Sequence, residues 1–384
     1  MNDFTFETTP HVICEFEGAL KLGELCKQFG AKSAMLLTDP GLQKVGLIDG
    51  PLAGLKEAGI ETLLWTRVEA DPPEASIVEA VNAAREFNAD IIIGLGGGSS
   101  MDTAKLVALL CGHEQTLEDV YGIGLAKGPR LPLIQVPTTA GTGSEVTPIS
   151  IVTTPSHEKK GVVSPLLYPD IALLDASLTM GLPAPITAAT GIDAMVHAIE
   201  AYTTRHKKNV LSDGLAIRAL QLMTANIDDA VSDKPSREAR EAMLQGSMMA
   251  GMAFANAPVA AVHALAYPLG GHFHVPHGLS NALVLVEVLR FNRDAACSHY
   301  AELARAVMPA KRFSSDEEAC DAFIQFMADM VARMPFAQNL RDVGVRERDL
   351  DMLAADAMKV ERLLVNNPRE MTLEAARAIY AATL

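Results

Sequence analysis

The segment DIIIGLGGGSSMDTAKLVALLC, residues 90–111, changes from strand-like to helical around consecutive glycines, and this change indicates the fold class. Residues 90–96 form a short apolar run rich in isoleucine, which is typical of a strand buried on both faces. Residues 101–111 carry helical apolar spacing, and Gly96, Gly97 and Gly98 separate the two segments. The stretch therefore predicts a strand, a glycine turn and a helix in succession.

The flanking segments repeat this alternation through the first half of the chain. Apolar runs that predict further buried strands lie at 34–39, 61–65, 131–137 and 171–175. Helical periodicity covers residues 46–59 and 74–88, and residues 152–175 are extended and interrupted by prolines. Strands that alternate with helices indicate a parallel sheet with crossover helices, hence an α/β nucleotide-binding layer.

The composition changes near MGLPAP, residues 180–185, after which helical patterns rich in alanine and methionine dominate and strand signals almost vanish. A chain of 384 residues also exceeds what one hydrophobic core supports. We therefore expect an α/β domain over 1–182 and an all-helical domain over 183–384.

Composition and charge exclude several classes of function. The formal net charge of -15 disfavours nucleic acid and anionic membrane as partners, because both would repel the protein. Five scattered cysteines without CxxC spacing indicate neither a disulfide framework nor a thiolate metal site. The first residues lack a basic and an apolar signal region, and no apolar run reaches 18 residues, so the cytoplasm is the expected location.

The glycine run is a candidate phosphate-binding loop. Gly96, Gly97 and Gly98 let backbone N–H groups approach a pyrophosphate, and Ser99 can bond its oxygens at the helix N-terminus. The run is not GxGxxG, so a tight structural turn is the competing interpretation. Asp102 is interpreted most simply as a complement to the helix dipole. Lys105 can be interpreted equally well as a surface lysine or as a phosphate contact.

Two further loops follow predicted strands. Asp39 ends the strand-like run 34–39, where a carboxylate can bind both ribose hydroxyls and repel a 2′-phosphate. A simple turn aspartate before Pro40 is the alternative. Residues 136–147, VPTTAGTGSEVT, supply hydroxyl and N–H donors for a cofactor or substrate.

The second half carries a candidate metal site. Asp193 and His197 lie four residues apart in a helical pattern, so both side chains emerge from one face. His263 and His277 lie in a segment that we expect Pro268, Gly270, Gly271 and Pro276 to break. One carboxylate and three imidazoles suit Fe(II), Zn(II), Co(II) or Mn(II).

Other polar residues near these four have competing interpretations. Any one of the histidines, taken alone, fits a structural role better than a ligand role. His272 and His274 compete as ligands but fit a solvated or supporting role better. Glu200, on the same helical face as Asp193, is expected to form a salt bridge rather than to serve as a fifth ligand.

Four motifs together resemble those of the iron-dependent (group III) alcohol dehydrogenases. They are GGGSSMDTAK (96–105), VPTTAGTGSEVT (136–147), ATGIDAMVHAIEAY (189–202) and VHALAYPLGGHFHVPHG (262–278). The resemblance runs in order over essentially the whole chain. It implies a dehydroquinate synthase-like architecture, with an N-terminal α/β dinucleotide-binding domain, an all-α C-terminal domain and an active site between them.

The resemblance also assigns residues. It implies that the metal, Fe(II) with Zn(II) as the alternative, is bound by Asp193, His197, His263 and His277. The implied cofactor-binding residues are Gly97, Gly98, Ser99, Asp102, Thr138, Thr139, Thr142 and Lys160. Asp39 matches a position where aspartate favours NAD over NADP.

Tyr267 departs from the family pattern, because many relatives carry a histidine there that is drawn as a proton-relay group. A tyrosine can donate a hydrogen bond, but its reference pKa near 10 makes it a poor base at neutral pH. The implied substrate pocket contains Ile149, Phe254 and Leu363, an apolar set that favours an aliphatic alcohol over a vicinal diol.

The sequence thus predicts an enzyme that interconverts a small or medium aliphatic primary alcohol and its aldehyde with NAD(H). The expected partner is this small molecule, and relatives imply a homodimer or larger homo-oligomer. The alternatives are a maleylacetate reductase-like reductase of a conjugated acid, a metal-dependent lyase of the dehydroquinate synthase type, and an NAD-sensing protein without catalytic activity.

Overall fold

The computed structural model describes residues 3–155 and 158–384, which form two compact units. One comprises residues 7–181, and the other comprises residues 182–384 together with residues 3–6. The domain limits expected from the sequence, 1–182 and 183–384, stay predictions.

The first unit is the α/β unit. Its strands are β1 (His11–Cys14), β2 (Ser33–Leu37), β3 (Glu61–Trp65), β4 (Ile91–Gly96), β5 (Gly122–Ile123), β6 (Leu133–Pro137), β7 (Ile149–Thr153), β8 (Lys159–Val163) and β9 (Ile171–Leu174). Its helices are α1 (Leu22–Gln28), α2 (Pro40–Lys44), α3 (Asp49–Glu57), α4 (Glu74–Phe87), α5 (Gly98–Gly112) and α6 (Leu117–Val120).

A six-stranded sheet forms the centre of this unit, in the order β1-β9-β6-β4-β2-β3. Every pairing in it is parallel, as the alternation of strands and helices predicts. Two apolar clusters, one containing Met35 and Ile92 and the other Leu36 and Ile93, alternate along β2 and β4. Successive side chains of a strand point to opposite faces, so helices cover both faces of the sheet and the strands are apolar throughout.

The sheet order brings the ends of β2, β4 and β6 together. The chain leaves β2 toward β3 on one side, whereas it leaves β4 toward β6 on the other. Ligands of open α/β sheets bind at such a switch point, beyond the carboxyl ends of the strands. Asp39 follows β2, and the glycine turn (residues 96–98) lies where β4 ends. The threonine-rich segment 136–147, called the threonine loop below, continues from the end of β6.

Part of the sheet structure was not predicted. The segment expected to be extended from 152 to 175 contains β8, which pairs antiparallel with β7, and β5 joins them in a small sheet. Residues 156 and 157 of that segment lie outside the described residues. β1 was not predicted either, because its four residues, two of them exposed, form too short an apolar run to stand out.

The second unit is helical within the described residues, as expected. Its helices are α7 (Ala184–Thr203), α8 (Val210–Ala230), α9 (Arg237–Asn256), α10 (Ala261–Phe273), α11 (His277–Val307), α12 (Asp316–Ala332), α13 (Leu350–Met358), α14 (Glu361–Leu364) and α15 (Leu373–Ala382). α7 packs against α8, α9 and α11, and α10 packs against α11, α13 and α14.

The expected break between His263 and His277 is shorter than predicted. α10 continues through Pro268, Gly270 and Gly271 and ends at Phe273, so that only residues 274–276 interrupt the helices. Proline inside a helix loses one backbone hydrogen bond and costs about 3 kcal/mol. Most of the first nine residues of α10 are buried, and this apolar packing offsets the loss.

Among the described residues, no single helix has the length and apolar composition needed to cross a membrane. The bent pair Arg237–Asn256 and Ala261–Phe273 meets that test only when its two helices are taken together.

Candidate active site

Asp193 and His197 lie one turn apart on α7, as their spacing predicts. The helix begins after Pro183, and nearly all of its residues from Thr187 onward are buried. Both polar side chains are therefore held inside the unit, with Asp193 only 1% exposed. Buried polar groups of this kind need partners, because their desolvation is otherwise uncompensated.

His263 and His277 reach Asp193 from two other helices. His263 lies in the first turn of α10, and His277 is the first residue of α11. Gly278 permits a close approach of α11 to α7, since a Cβ there would lie 2.6 Å from the carbonyl oxygen of Ala189. The Nε2 atoms of both histidines lie 3.8 Å from Asp193 Oδ1.

The four predicted ligands form one cluster. One ligand atom from each residue lies within 4.8 Å of the others, in the set Asp193, His197, His263 and His277. The His197 and His263 rings stack with centroids 4.7 Å apart, and the His263 and His277 centroids are 5.4 Å apart. Three members are buried, whereas the His277 side chain is 43% exposed, so the cluster is accessible from that side.

The electrostatics of the cluster favour an ionised carboxylate. Burial alone would raise the pKa of Asp193, but His197, His277 and His263 together bring it below its ordinary value. Asn281 assists, because its Nδ2 donates to Asp193 Oδ1 at 2.5 Å. The same Nδ2 lies 3.2 Å from His277 Nε2, one helical turn away on α11. Asn281 was not predicted from the sequence, although its position four residues after His277 places it on the same face of a helix.

Glu200 contacts the cluster through His263. Its carboxylate lies 2.7 Å from His263 Nδ1, and Glu200 is not a member of the four-residue cluster, as expected from the sequence. The contact is a salt bridge only when His263 is protonated, so that part of the expectation stays a prediction.

The residues fit a divalent cation. The Nε2 atom of His263 is buried and has no hydrogen-bond partner among residues 3–155 and 158–384, although it lies beside Asp193. Such an unsatisfied atom is unusual in a folded protein unless it binds a ligand or water. One carboxylate and three imidazoles, with no thiolate, suit iron or zinc and leave room for a further ligand.

The two competing histidines lie outside the cluster. His272 pairs with Asp356 on α13 at 2.6 Å, which explains why it is not a ligand. His274 is exposed and has a left-handed backbone (φ 54°) at the end of α10. Both agree with the solvated or supporting role favoured from the sequence.

Tyr267 lies near the cluster, with its ring centroid 6.1 Å from that of His277. Burial raises the pKa of its hydroxyl, and the opposing effect of the nearby Arg362 guanidinium does not reverse this shift. The hydroxyl is therefore protonated at neutral pH and can donate a hydrogen bond.

The three predicted pocket residues lie in different environments. Phe254 stacks on His197 with a centroid distance of 4.3 Å, so an apolar ring adjoins the cluster. Leu363 is buried in α14, which packs against α10. Ile149 belongs to the α/β unit, at the start of β7.

In the α/β unit, the glycine turn and the threonine loop are neighbours. Gly96 has a φ of +155°, which side chains rarely allow, and Gly97 begins α5 without a side-chain cap. A Cβ at Gly98 would lie 3.0 Å from Thr142 Cγ2. The start of α5 therefore lies against the threonine loop, and the first N–H groups of a helix have no partner within the helix itself.

Other predicted cofactor residues have contacts of their own. The Ser99 hydroxyl accepts a hydrogen bond from the Asp71 N–H at 3.3 Å. Thr138 is buried, and its N–H donates to the Gly96 carbonyl at 3.0 Å, whereas Thr139 is only partly buried. Lys160 is exposed on β8, with its Nζ 5.2 Å from the Tyr121 ring centre. Their binding roles stay predictions.

Asp39 caps α2. Its Oδ1 accepts from the N–H groups of Gly41 (2.8 Å) and Leu42 (3.1 Å). Oδ2 has no hydrogen-bond partner within the described part of the chain, so the turn role and ribose binding are compatible.

Lys105 is neither the surface lysine nor the phosphate contact considered from the sequence. Its side chain is fully buried. Its Nζ donates to Ser144 Oγ (2.8 Å), Thr147 Oγ1 (3.1 Å) and the Ile149 carbonyl (2.7 Å). All three ammonium donors are thus satisfied by the segment that follows β6. The long side chain ties α5 to the threonine loop, a role that no local pattern revealed.

Asp102 completes this buried network. Its Oδ1 accepts from Ser144 Oγ at 2.6 Å, and its Oδ2 accepts from the Ile151 N–H at 2.9 Å. Lys105 Nζ lies 3.8 Å from Oδ1. Burial raises the pKa of Asp102 despite the nearby lysine, and burial lowers the pKa of Lys105 to about 8. The predicted contact of Asp102 with the cofactor is untested, but both oxygens already have protein partners.

Two family models match nearly all of the chain. Residues 9–176 match the model described as iron-containing alcohol dehydrogenase. Residues 187–384 match the model described as Fe-containing alcohol dehydrogenase family, C-terminal. The chain belongs to the iron-containing alcohol dehydrogenase family. It is therefore an oxidoreductase of alcohols and aldehydes, and the resemblance found in the sequence is confirmed.

Individual relatives of this iron-containing alcohol dehydrogenase family member span almost the full chain. The long-chain-alcohol dehydrogenase 1 of Geobacillus thermodenitrificans (strain NG80-2) is 39% identical over 93% of this chain and 90% of its own length. A crystal structure of 1,3-propanediol oxidoreductase is 34% identical, with a TM-score of 0.96 and full coverage of both chains. Sulfoacetaldehyde reductase from Bifidobacterium kashiwanohense, solved with NAD+, is 27% identical, with a TM-score of 0.90 and coverage of 100% and 99%. These likenesses confirm the α/β unit followed by a helical unit.

Proposed function

We propose that this iron-containing alcohol dehydrogenase interconverts a small or medium aliphatic primary alcohol and its aldehyde with NAD(H). The observation that carries the proposal is the convergence of Asp193, His197, His263 and His277 from three helices. A binding protein without catalytic activity has no need of such a cluster, and a metal-free reductase would leave its buried imidazoles without a role.

The four cluster residues would hold Fe(II), with Zn(II) as the alternative that the same ligands accept. When bound, the cation supplies Lewis acidity toward the oxygen of the alcohol or aldehyde. The exposed edge of His277 gives the substrate access, while the buried Asp193, His197 and His263 keep water from the opposite side.

The α/β unit would bind NAD(H) at the switch point of its sheet. The glycine turn offers free N–H groups to the pyrophosphate, together with Ser99 and the hydroxyls of Thr138, Thr139 and Thr142. Asp39 retains Oδ2 for the ribose hydroxyls, which supports NAD over NADP. The NAD+ complex of the Bifidobacterium kashiwanohense relative supports the same cofactor.

Side chains near the cluster support an aliphatic substrate. Phe254 presents an apolar ring beside His197. Relatives are named for a long-chain alcohol, 1,3-propanediol and sulfoacetaldehyde, so the substrate varies within the family. We propose Ile149 and Leu363 as further pocket residues. Because the Tyr267 hydroxyl keeps its proton, it would orient the substrate as a hydrogen-bond donor, and His274 or solvent would take up the proton that the alcohol releases.

A screen of C2–C8 alcohols and aldehydes with NAD(H), on iron-loaded and zinc-loaded protein, tests this function. We expect NADH formation with at least one primary alcohol, and His263→Ala protein should lose metal and turnover while it still binds NADH. Near-normal turnover by metal-free His263→Ala protein would contradict the proposal. A homodimeric or larger assembly and a cytoplasmic location stay predictions.

A further inference from the structure

Helix α10, which carries His263, begins inside the helical unit without a cap of its own. Ala260 precedes the helix and offers no side-chain acceptor. The Glu200 carboxylate on α7 takes that place, because Oε2 accepts from the Ala260 N–H at 2.9 Å and Oε1 accepts from the Val262 N–H at 2.7 Å. Free N–H groups at a buried helix start require such acceptors. Glu200 therefore caps a helix that lies 60 residues later in the chain.

The same carboxylate also determines which nitrogen of His263 carries hydrogen. Oε2 of Glu200 lies 2.7 Å from His263 Nδ1, while both carboxylate oxygens already accept from backbone N–H groups. An acceptor-only carboxylate requires Nδ1 to donate, which places the hydrogen there. Nε2 then presents its lone pair, and this is the atom that lies 3.8 Å from Asp193 Oδ1.

We propose that Glu200 is the positioning residue of the metal site: it fixes the tautomer of His263 and sets the position of α10 relative to α7. The inference rests on the proposed function only in requiring that the cluster binds a divalent cation. Carboxylates that accept from the second nitrogen of a histidine ligand are a recurrent device in metal sites. Here the carboxylate also holds the helix that supplies the ligand.

The position of Glu200 on α7 explains how it can hold His263 in place relative to the other ligands. It lies three residues after His197 and seven after Asp193, so one helical face supplies two ligands and orients the third. Metal sites require ligand distances within about 0.2 Å of their ideal values. A small shift of α10 would therefore move His263 Nε2 out of bonding range.

The test measures Co(II) binding to metal-free protein by competition with a chelator, together with the visible absorption of the complex. In Glu200→Gln, the amide nitrogen cannot accept, so either a helix N–H or His263 Nδ1 loses its acceptor. If the amide donates to Nδ1, the hydrogen of His263 moves to Nε2 and removes the ligand lone pair. We expect Co(II) affinity to fall about 10- to 100-fold, with an altered spectrum, while NADH affinity is unchanged.

Two further variants make the test decisive. Glu200→Asp retains the charge but is one methylene shorter, so its affinity should lie between those of wild type and Glu200→Gln; it decides the matter if the glutamine variant does not fold. Glu302→Gln removes a glutamate that contacts Tyr202, two residues after Glu200 on α7, and it should bind Co(II) as wild type does.

Three results would overturn the inference. In the first, both Glu200 variants bind Co(II) with wild-type affinity and spectrum. In the second, they only lower the melting temperature of the metal-free protein, which would leave Glu200 a helix cap and nothing more. If wild-type protein turns over alcohols in either case, the proposed function survives and only the role of Glu200 fails. In the third, wild-type protein does not bind Co(II), and the metal-dependent function fails as well.

Discussion

The metal cluster differs from the glycine turn and the threonine loop, which we propose as the cofactor loops, in how it uses polar groups. In the cluster, neighbouring groups hold the side chains in place, and His263 Nε2 has no hydrogen-bond partner in the part of the chain that the structure describes. In the loops, Lys105, Asp102 and Ser144 bond to one another, and the groups that we propose for the ligand are backbone N–H groups at the start of α5. In the helical unit, side chains are positioned to bind the proposed cation. In the α/β unit, buried side chains instead hold the loop backbone in place.

Replacement of Lys105 should break the loop region and leave the cluster intact. Lys105→Met keeps the length of the side chain but leaves Asp102 buried without its cation and three acceptors without a donor. Breaking a buried ion pair costs about 3–5 kcal/mol, so the free energy of unfolding, measured in urea, should fall by that amount. Co(II) affinity should stay at the wild-type value.

Lys127→Met is the matched control, since Lys127 is exposed in the same unit and its loss should change stability by less than about 0.5 kcal/mol. Equal stability of the two variants would show that the buried network does not support the loop.

The pH dependence of stability should also originate in the loop region. Burial raises the pKa of Glu145 from 4.5 to about 7. The folded protein therefore retains a proton that the unfolded chain has lost, and the free energy of unfolding falls as pH rises from about 4.5 to 7. The lowered pKa of Lys105 acts in the opposite sense, and stability rises between about pH 8 and 10.5.

Glu145→Gln should remove the fall in the free energy of unfolding between about pH 4.5 and 7, which amounts to about 3 kcal/mol. Urea unfolding at pH 5 and pH 7.5 measures it. An undiminished decline in the variant would assign the pH dependence to other groups.

Removal of one cluster ligand should change Co(II) affinity and leave the α/β unit unaffected, in contrast to the replacement of Lys105. Asp193→Asn retains the shape of the side chain but removes the charge that balances a divalent cation, so Co(II) affinity should fall by about 100-fold or more. Affinity for NADH, followed by fluorescence, should not change. Asp213→Asn, which removes a charge paired with Lys208 in the same unit, is the control. Co(II) affinity that falls equally in both variants would indicate a general charge effect.

A substitution at Asp39 should have a smaller effect, and it separates the role of Asp39 as the cap of α2 from its proposed role in ribose binding. Serine is as good a helix cap as aspartate, so Asp39→Ser keeps α2 capped while it removes the negative charge. We expect kcat/KM for NADP relative to NAD to rise about tenfold, or about 1.4 kcal/mol. An unchanged ratio would mean that Asp39 only caps α2.

The difference between the two regions also explains what the sequence could predict. Metal ligands come from few residue types, so Asp193, His197, His263 and His277 were recognisable from type and spacing. The parallel sheet was predictable because buried strands read as apolar runs. Lys105 gave no signal, since its partners lie 39 to 44 residues later and a buried lysine looks like an exposed one.

The same physical limit applies to the missed features of the fold. Glu200 and the N-terminus of α10 are 60 residues apart, so their contact is a product of tertiary packing. The strands of the small sheet gave weak signals: β5 has only two residues, β8 begins with two exposed lysines, and the buried Ser150 interrupts the apolar run of β7. Pro268 remains helical because packing outweighs local propensity.

We infer that one divalent cation binds where α7, α10 and α11 meet. Anomalous diffraction at the zinc edge, from crystals grown with Zn(II) and NADH, would locate this cation. We expect a single strong peak about 2.0–2.2 Å from one atom each of Asp193, His197, His263 and His277. No peak at this position, or a peak bound instead by His272 and Asp356, would contradict it.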